Sequence, residues 1–334
     1  MQSQFKILIL FILLITAVNI FAQTPYSSQN FTSTSFFNPA SVGFGVNNKF
    51  QTFYRNQFAG VGNPYKTIGI GLDIGLFKNQ NNEGNNNFGL GIQAVSEQVM
   101  DGILQTNAIT LSLADRIFLN EQKTSYLALG ISATLITRTV DVDRLSFGDQ
   151  YNSGRLFNST SLEVINSFPS KYSTNAGIMY TYLSENSFLQ IGGSIFFINR
   201  SSNAQVYEKL EQTYQSLGLI NLEKRIGEDK TILFHADYQK RIESEYYFTG
   251  AALGLPLYTT KEKMNRLYVG CFYRSQDAVI PYVGLLYNKY KFGLSYDIYQ
   301  SNIPMSSLHP QTFEFTLSTY LGRRITENLI SLFD

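Results

Sequence analysis

Apolar and polar residues alternate with a period of two from Phe50 to Tyr320, behind a leader-like apolar stretch, and no apolar run is long enough for a membrane-spanning helix. Together these observations predict an all-β protein: a transmembrane antiparallel β-barrel of the outer membrane, with about 14 strands and long extracellular loops. The pattern is clear over residues 67–76. Ile68, Ile70, Leu72, Ile74 and Leu76 fall on one side, and Thr67, Gly69, Gly71, Asp73 and Gly75 on the other. One face suits lipid and the other a wet lumen. Composition agrees, because aromatic residues make up 14% of the chain, all of them Tyr and Phe, at a mean hydropathy near zero. Barrels use such an excess to build interfacial girdles.

The leader comes first. Lys6 is the only charge ahead of an apolar run from Ile7 to Ile20, and Phe21-Ala22-Gln23 supplies a small residue at a cleavage point. At about 1.5 Å per residue this run covers about 21 Å of a hydrocarbon core roughly 30 Å thick. Residues 1–22 therefore read as a signal peptide rather than an anchor, and no cysteine nearby indicates a lipoprotein. Residues 23–48 read as an N-terminal periplasmic segment, 49–321 as the barrel and 322–334 as a C-terminal tail. Loss of the leader removes one basic residue and leaves 25 basic against 25 acidic residues. A neutral chain carries no electrostatic footprint for nucleic acid.

Alternation and turn residues place strands near 49–58, 66–76, 87–98, 103–116, 124–140, 172–183, 187–199, 215–226, 230–240, 245–258, 264–274, 278–287, 289–299 and 312–321. The fifth shows the pattern well, with Leu127, Leu129, Ile131, Ala133 and Leu135 alternating with Tyr126, Ala128, Gly130, Ser132 and Thr134. The thirteenth does too, with Phe292, Leu294, Tyr296 and Ile298 on the apolar side. With both barrel ends in the periplasm, the long gaps 141–171, 199–214 and 300–311 all fall outside, and the turns 184–187, 227–230 and 288–289 inside. That is the barrel rule, and the Asn-rich stretch Asn79 to Asn87 is its exception.

Inward parity selects the residues with chemistry. Arg55 shares a face with Lys49, Gln51 and Phe53, and belongs in the lumen because an arginine at lipid mid-depth costs roughly 2–4 kcal/mol. Asp73, Asp237 and Asp297 have the same parity and are expected to pair with interior Arg and Lys. Glycines 69, 71, 75, 89 and 91 lie within strands, which excludes a nucleotide loop and points to smooth packing or curvature. Asn38-Pro39 starts a turn before the first strand. His235 and Asp237 can meet on one face, but no paired nucleophile accompanies them, so catalysis is not expected. His309 stands in a loop far from His235, and no metal site or cofactor is expected. Cys271, the single cysteine, shares parity with Leu267 and Val269 and faces lipid. Loop 141–171 mixes Asp141, Asp143, Arg144, Asp149 and Arg155 with Leu145, Phe147, Tyr151, Leu156 and Phe157, an ordered composition suited to partner contact or to a plug.

Several motifs point to one family. Asn38-Pro39-Ala40-Ser41-Val42-Gly43, then Tyr54-Arg55-Asn56-Gln57-Phe58, then Pro64-Tyr65-Lys66-Thr67 resemble the opening of the PorP/SprF family of type IX secretion system membrane proteins. Gly89-Leu90-Gly91, the turn at Asp101-Gly102, Ser295-Tyr296-Asp297 and Phe313-Glu314-Phe315 resemble its later motifs. Phe58 stands where that family usually has Trp. The resemblance implies a non-enzymatic outer-membrane barrel of Bacteroidetes-type bacteria, working with the type IX secretion and gliding machinery. Its implied partners are that machinery, outer-membrane lipid and a secreted cargo with a C-terminal sorting domain, such as a large adhesin. Asn38, Pro39, Tyr54, Arg55, Asn56, Gln57, Tyr296 and Asp297 are the motif positions expected to carry partner contact. The fold alone would favour a passive or substrate-selective channel.

Overall fold

A computed structural model describes residues 27–43, 48–60, 62–76, 87–150, 161, 168–199, 214–227, 230–241, 244–260, 263–275, 277–300 and 310–321. Its strands are β1 Asn48–Ala59, β2 Tyr65–Leu76, β3 Phe88–Val99, β4 Leu104–Phe118, β5 Ser125–Val140, β6 Lys171–Leu183 and β7 Ser187–Phe196. They continue as β8 Gln215–Ile226, β9 Lys230–Lys240, β10 Glu245–Thr260, β11 Lys263–Arg274, β12 Ala278–Tyr287, β13 Tyr290–Tyr299 and β14 Gln311–Leu321. Each strand pairs with its sequence neighbours, and β1 pairs antiparallel with β14, from Asn48↔Leu321 to Ala59↔Gln311, closing a 14-strand barrel. Closure leaves no strand edge unpaired, the condition for crossing lipid with β-structure.

Strand bounds agree with the sequence pattern to within a few residues. β7 is the informative departure, because it stops at Phe196 instead of reaching 199. Phe197 takes a positive φ of 60°, outside the extended region that continues a regular ladder. The first strand begins and the last strand ends at the rim that carries Asn48 and Leu321, here termed the near rim. Connections 141–170, 197–214 and 300–310 fall on the far rim; 119–124, 184–186 and 288–289 on the near rim. The stretch 79–86, His309 and the tail 322–334 lie outside the described residues.

The outward face is apolar along its length. Ile131 is 62% exposed, with Ile109, Leu111, Leu294 and Ile298 similar, as a lipid-facing band requires. Cys271 is exposed on this face. The inward face differs from the wet lumen that alternation suggests. Inward polar residues such as Gln51, Asn221, Glu223, Thr231 and Glu314 are buried, because protein rather than water covers them.

Much of that covering comes from the N-terminus. Residues 27–43, expected beside the barrel in the periplasm, lie inside it as a buried segment with three 3-10 turns, Asn30–Thr32, Thr34–Phe36 and Pro39–Ser41. The segment divides the interior packing in two. Phe31 joins a cluster with Phe188, Leu233, Phe248, Tyr268, Phe272, Ile280, Tyr282 and Leu286. Phe37 and Ala40 join another with Tyr126, Ala128, Met179, Leu217 and Leu219. Phe31 stacks on Phe272 at 4.5 Å and meets the edge of Tyr282 at 5.1 Å, geometries that aromatic quadrupoles favour.

Candidate functional site

The segment crosses the lumen by a series of specific contacts. It leaves the near rim at Val42-Gly43, where a Cβ on Gly89 would strike the Val42 carbonyl and one on Gly91 would strike the Val42 side chain. Further in, a Cβ on Gly130 of β5 would collide with the Pro39–Ala40 backbone. These inward glycines therefore supply space for the backbone of the N-terminal segment, a close approach that only a missing side chain permits.

Asn38 is the pivot of the segment. Its extended backbone, φ −147° and ψ 113°, is the conformation that a following proline imposes. Its Oδ1 accepts from the Ala40 amide at 2.9 Å and caps the 3-10 turn, while its Nδ2 donates to the carbonyls of Ile178 at 3.1 Å and Gly193 at 3.2 Å. Those two residues are register partners across β6 and β7. Ser194 Oγ adds a 2.6 Å bond to the Phe37 carbonyl. Gln93 Nε2 donates to the Ser35 carbonyl at 2.8 Å, and Gln51 Nε2 bonds the Ser35 hydroxyl. Asn30 Nδ2 reaches Asp237 at 3.1 Å, which also meets His235 Nε2 at 2.9 Å. His235 Nδ1 contacts Asn221 at 2.5 Å, so both ring nitrogens are engaged in wall contacts.

At the segment's far end, four buried ionic side chains converge. Arg55 pairs with Asp297 and with Glu314, each at 3.1 Å, and Arg274 pairs with Asp297 at 2.6 Å and with the half-exposed Asp277 at 2.5 Å. Ser27 and Ser28 complete the cluster. Ser27 Oγ donates to Glu314 at 2.5 Å, the Ser28 amide donates to Glu314 at 2.7 Å, and Ser28 Oγ donates to Asp297 at 2.8 Å. Both guanidiniums donate to Ser28 Oγ, that of Arg274 at 3.2 Å. Gln29 continues the contact through Nε2 to Ser295 at 3.1 Å and to the Glu314 carbonyl at 2.9 Å. Buried charges are tolerable only when paired and hydrogen-bonded, and here two cations face two enclosed carboxylates.

The expected site residues divide by face. Asn38, Pro39, Arg55, Gln57 and Asp297 are buried in the interior, and Gln57 accepts from Arg55 Nε at 3.3 Å. Tyr54, Asn56 and Tyr296 point outward; Tyr54 packs on Phe313 with ring centroids 6.0 Å apart, and Tyr296 is exposed. No single surface gathers all eight. Asp297 has the interior arginine partners that parity suggested, and register sets Lys49 beside Asp73. Asp237 departs from the expected Arg or Lys pairing, because the groups that reach it are His235, Asn30 and Gln239. Sequence reasoning missed Arg274, although its parity with Gly270 and Phe272 already turned it inward, and it missed Ser27 and Ser28, which carry no local signal. In loop 141–171 the described part forms short 3-10 turns at Val142–Arg144 and Gly148–Gln150, and Arg144 reaches back to the Asp101 carbonyl at 3.1 Å. Among the described residues no His, Cys, Asp and Glu group has the makings of a metal site.

A family model described as type IX secretion system membrane protein PorP/SprF matches residues 19–319. The chain belongs to the PorP/SprF family. Membership makes it a membrane component of type IX secretion, and the closed barrel is of outer-membrane type. No curated protein matches it. Solved structures similar to it include CdiB from Escherichia coli, at 9% identity and TM-score 0.46, over 80% of this chain and 62% of CdiB. The CymD monoaromatic hydrocarbon channel matches at 11% identity and TM-score 0.46, over 91% of this chain and 95% of its own. A FadL homologue from Pseudomonas aeruginosa matches at 10% and 0.46, over 86% and 94%. The chain spans less than two thirds of CdiB's length.

In this PorP/SprF barrel the inward-facing residues of several scattered motifs meet in space. Asn38 to Gly43 is the portion of the segment that crosses from β7 to β3. Gly89 and Gly91 receive Val42, Arg55 and Gln57 line the far end of β1, and Ser295, Asp297 and Glu314 hold Ser27, Ser28 and Gln29. Motif residues more than 200 positions apart in sequence, such as Arg55 with Asp297 and Glu314, thus share in seating the N-terminal segment against the wall.

Proposed function

We propose that this protein is an outer-membrane interaction barrel of the type IX secretion and gliding system, assisting the export or surface attachment of proteins with a C-terminal sorting domain, such as large adhesins. The near rim faces the periplasm and the far rim the cell exterior, residues 1–22 are removed as a signal peptide, and the outward apolar band sits in lipid. The protein acts by binding and not by catalysis. One observation carries the reading: the inward-facing motif residues of the family converge on a segment that occupies the lumen. A passive pore gains nothing from two interior packing clusters and a buried ion network, whereas a rigid docking platform does.

A clean deletion tests this, with cell-surface and supernatant proteomes compared against the parent strain. Loss or release of one or a few sorting-domain proteins is the expected result, and wholesale loss would place the barrel in the core machinery. An unchanged surface, together with partner-independent ion conductance of the purified protein, would replace the proposal with a channel. The intact mass of the purified chain tests the leader, which should end at Ala22.

A further inference from the structure

The N-terminal segment runs through the barrel in one direction, and its contacts fix that direction level by level. Ser27 and Ser28 bond Glu314, which stands three residues from the far end of β14 at Gln311. Ser28 also bonds Asp297, two residues from the far end of β13, and Arg274, the last residue of β11. Lower down, Gln29 meets Ser295, and Ser35 meets Gln51, three residues from the near end of β1 at Asn48. Val42 lies against Gly89, one residue from the near end of β3. The chain therefore descends from the far rim to the near rim between Ser27 and Val42.

Reach decides where the chain ahead of Ser27 goes. At about 3.3 Å per residue and a strand tilt of about 40°, Glu314 sits about 8 Å below the far rim and about 18 Å above the near rim. Four residues, 23–26, separate Ser27 from the cleavage point after Ala22. Fully extended they span at most about 14 Å, enough for the far rim and too little for the near one. The way down is also occupied, because residues 29–35 are themselves buried there. The way up meets water: Asp277, bonded to Arg274 Nε at 2.5 Å, keeps 37% of its side chain exposed.

We infer that the amino terminus left by leader removal is presented at the far rim, so that the chain is threaded through its own barrel with its N-terminal end opposite the rim where β1 begins. The cellular meaning rests on the leader and the orientation proposed above. With the far rim outside, the protein carries a polypeptide end at the cell surface, continuous with Ser27, Ser28 and the buried ion network. A partner that grips this end from outside pulls on Glu314, the carboxylate that pairs β14 with Arg55 of β1.

Single-cysteine barrels test this, in a Cys271→Ser background and in intact cells treated with a membrane-impermeant maleimide. Asp143→Cys, at an exposed position on the far rim, and Glu121→Cys, at an exposed position on the near rim, report the two sides. Thr24→Cys is expected to label together with Asp143→Cys and at least ten-fold faster than Glu121→Cys. If Thr24→Cys instead labelled with Glu121→Cys, or only after the barrel was unfolded, the inference would be overturned. Labelling of Glu121→Cys in place of Asp143→Cys in intact cells would reverse the proposed orientation alone, and Thr24→Cys should still follow Asp143→Cys. Intact mass separates the remaining premise: a chain that keeps residues 1–22 would overturn the new terminus, while the Thr24 label would still decide the direction of threading.

Discussion

Arg55 and Glu314 join the ends of the barrel in two ways: they are register partners across β1 and β14, and their side chains form a 3.1 Å ion pair inside the lumen. Glu314 also accepts from Ser27 and Ser28, so the seam that closes the barrel and the seat of the N-terminal segment share one carboxylate. Closure and filling of this barrel are therefore coupled at a single buried cluster.

Arg55→Met should leave Glu314 and part of Asp297 uncompensated. Removing one partner of a buried pair costs about 3–5 kcal/mol. The heat-modifiable band in detergent gels should convert at a clearly lower temperature. Pairing the change with Glu314→Gln should recover part of the loss, because the stranded charge is gone; a strictly additive double variant would refute the coupling.

Gly130→Val should displace the segment without breaking the wall. Its side chain would occupy the space of the Pro39–Ala40 backbone, while a valine suits a strand. Limited proteolysis should then cut within residues 27–43 while the barrel remains heat-modifiable. Protection equal to that of the parent would argue against the close packing at this point.

Phe31→Ala should loosen the same segment from its other side. Truncating a buried phenylalanine costs about 3–5 kcal/mol, and Phe31 packs on Phe272, Tyr282 and His235. Hydrogen exchange should speed up in residues 27–43 much more than in β11 and β12. Uniform acceleration would mean that the segment and wall unfold as one unit.

Ile131→Lys should report the membrane depth of the outward face. Near the bilayer midplane such a change costs about 2–4 kcal/mol, falling to about 0–1 kcal/mol near the interface. Tyr172→Lys, close to the far rim, is expected to fall in the lower range. Refolding titrations into lipid vesicles would measure both, and equal costs would contradict the assigned depth.

Fourteen strands, their facing and the inward direction of Arg55, Asp237 and Asp297 were legible because side-chain direction in a strand depends only on parity, and lipid exposure makes parity visible as hydropathy. The family was legible through short motifs. Their task was not. Asn38 reads as a turn initiator, and so it is, yet its amide also binds carbonyls of Ile178 and Gly193 some 140 and 155 residues away. Gly89 and Gly91 read as smooth wall, but nothing in their sequence neighbourhood says that Val42 lies against them.

Local pattern was therefore sufficient for the barrel, its strand order and the division between lipid face and lumen face, since each depends on a residue's immediate neighbours and on the solvent it meets. The content of the lumen was decided only by tertiary structure. Residues 27–43 have no periodicity to reveal their seat, which is assembled from β1, β3, β5 to β7, β9 and β11 to β14 only when closure brings those inward faces together. Ser28 becomes a ligand of two arginines and two carboxylates because all four converge on it across the lumen, a relation that no spacing along the chain encodes.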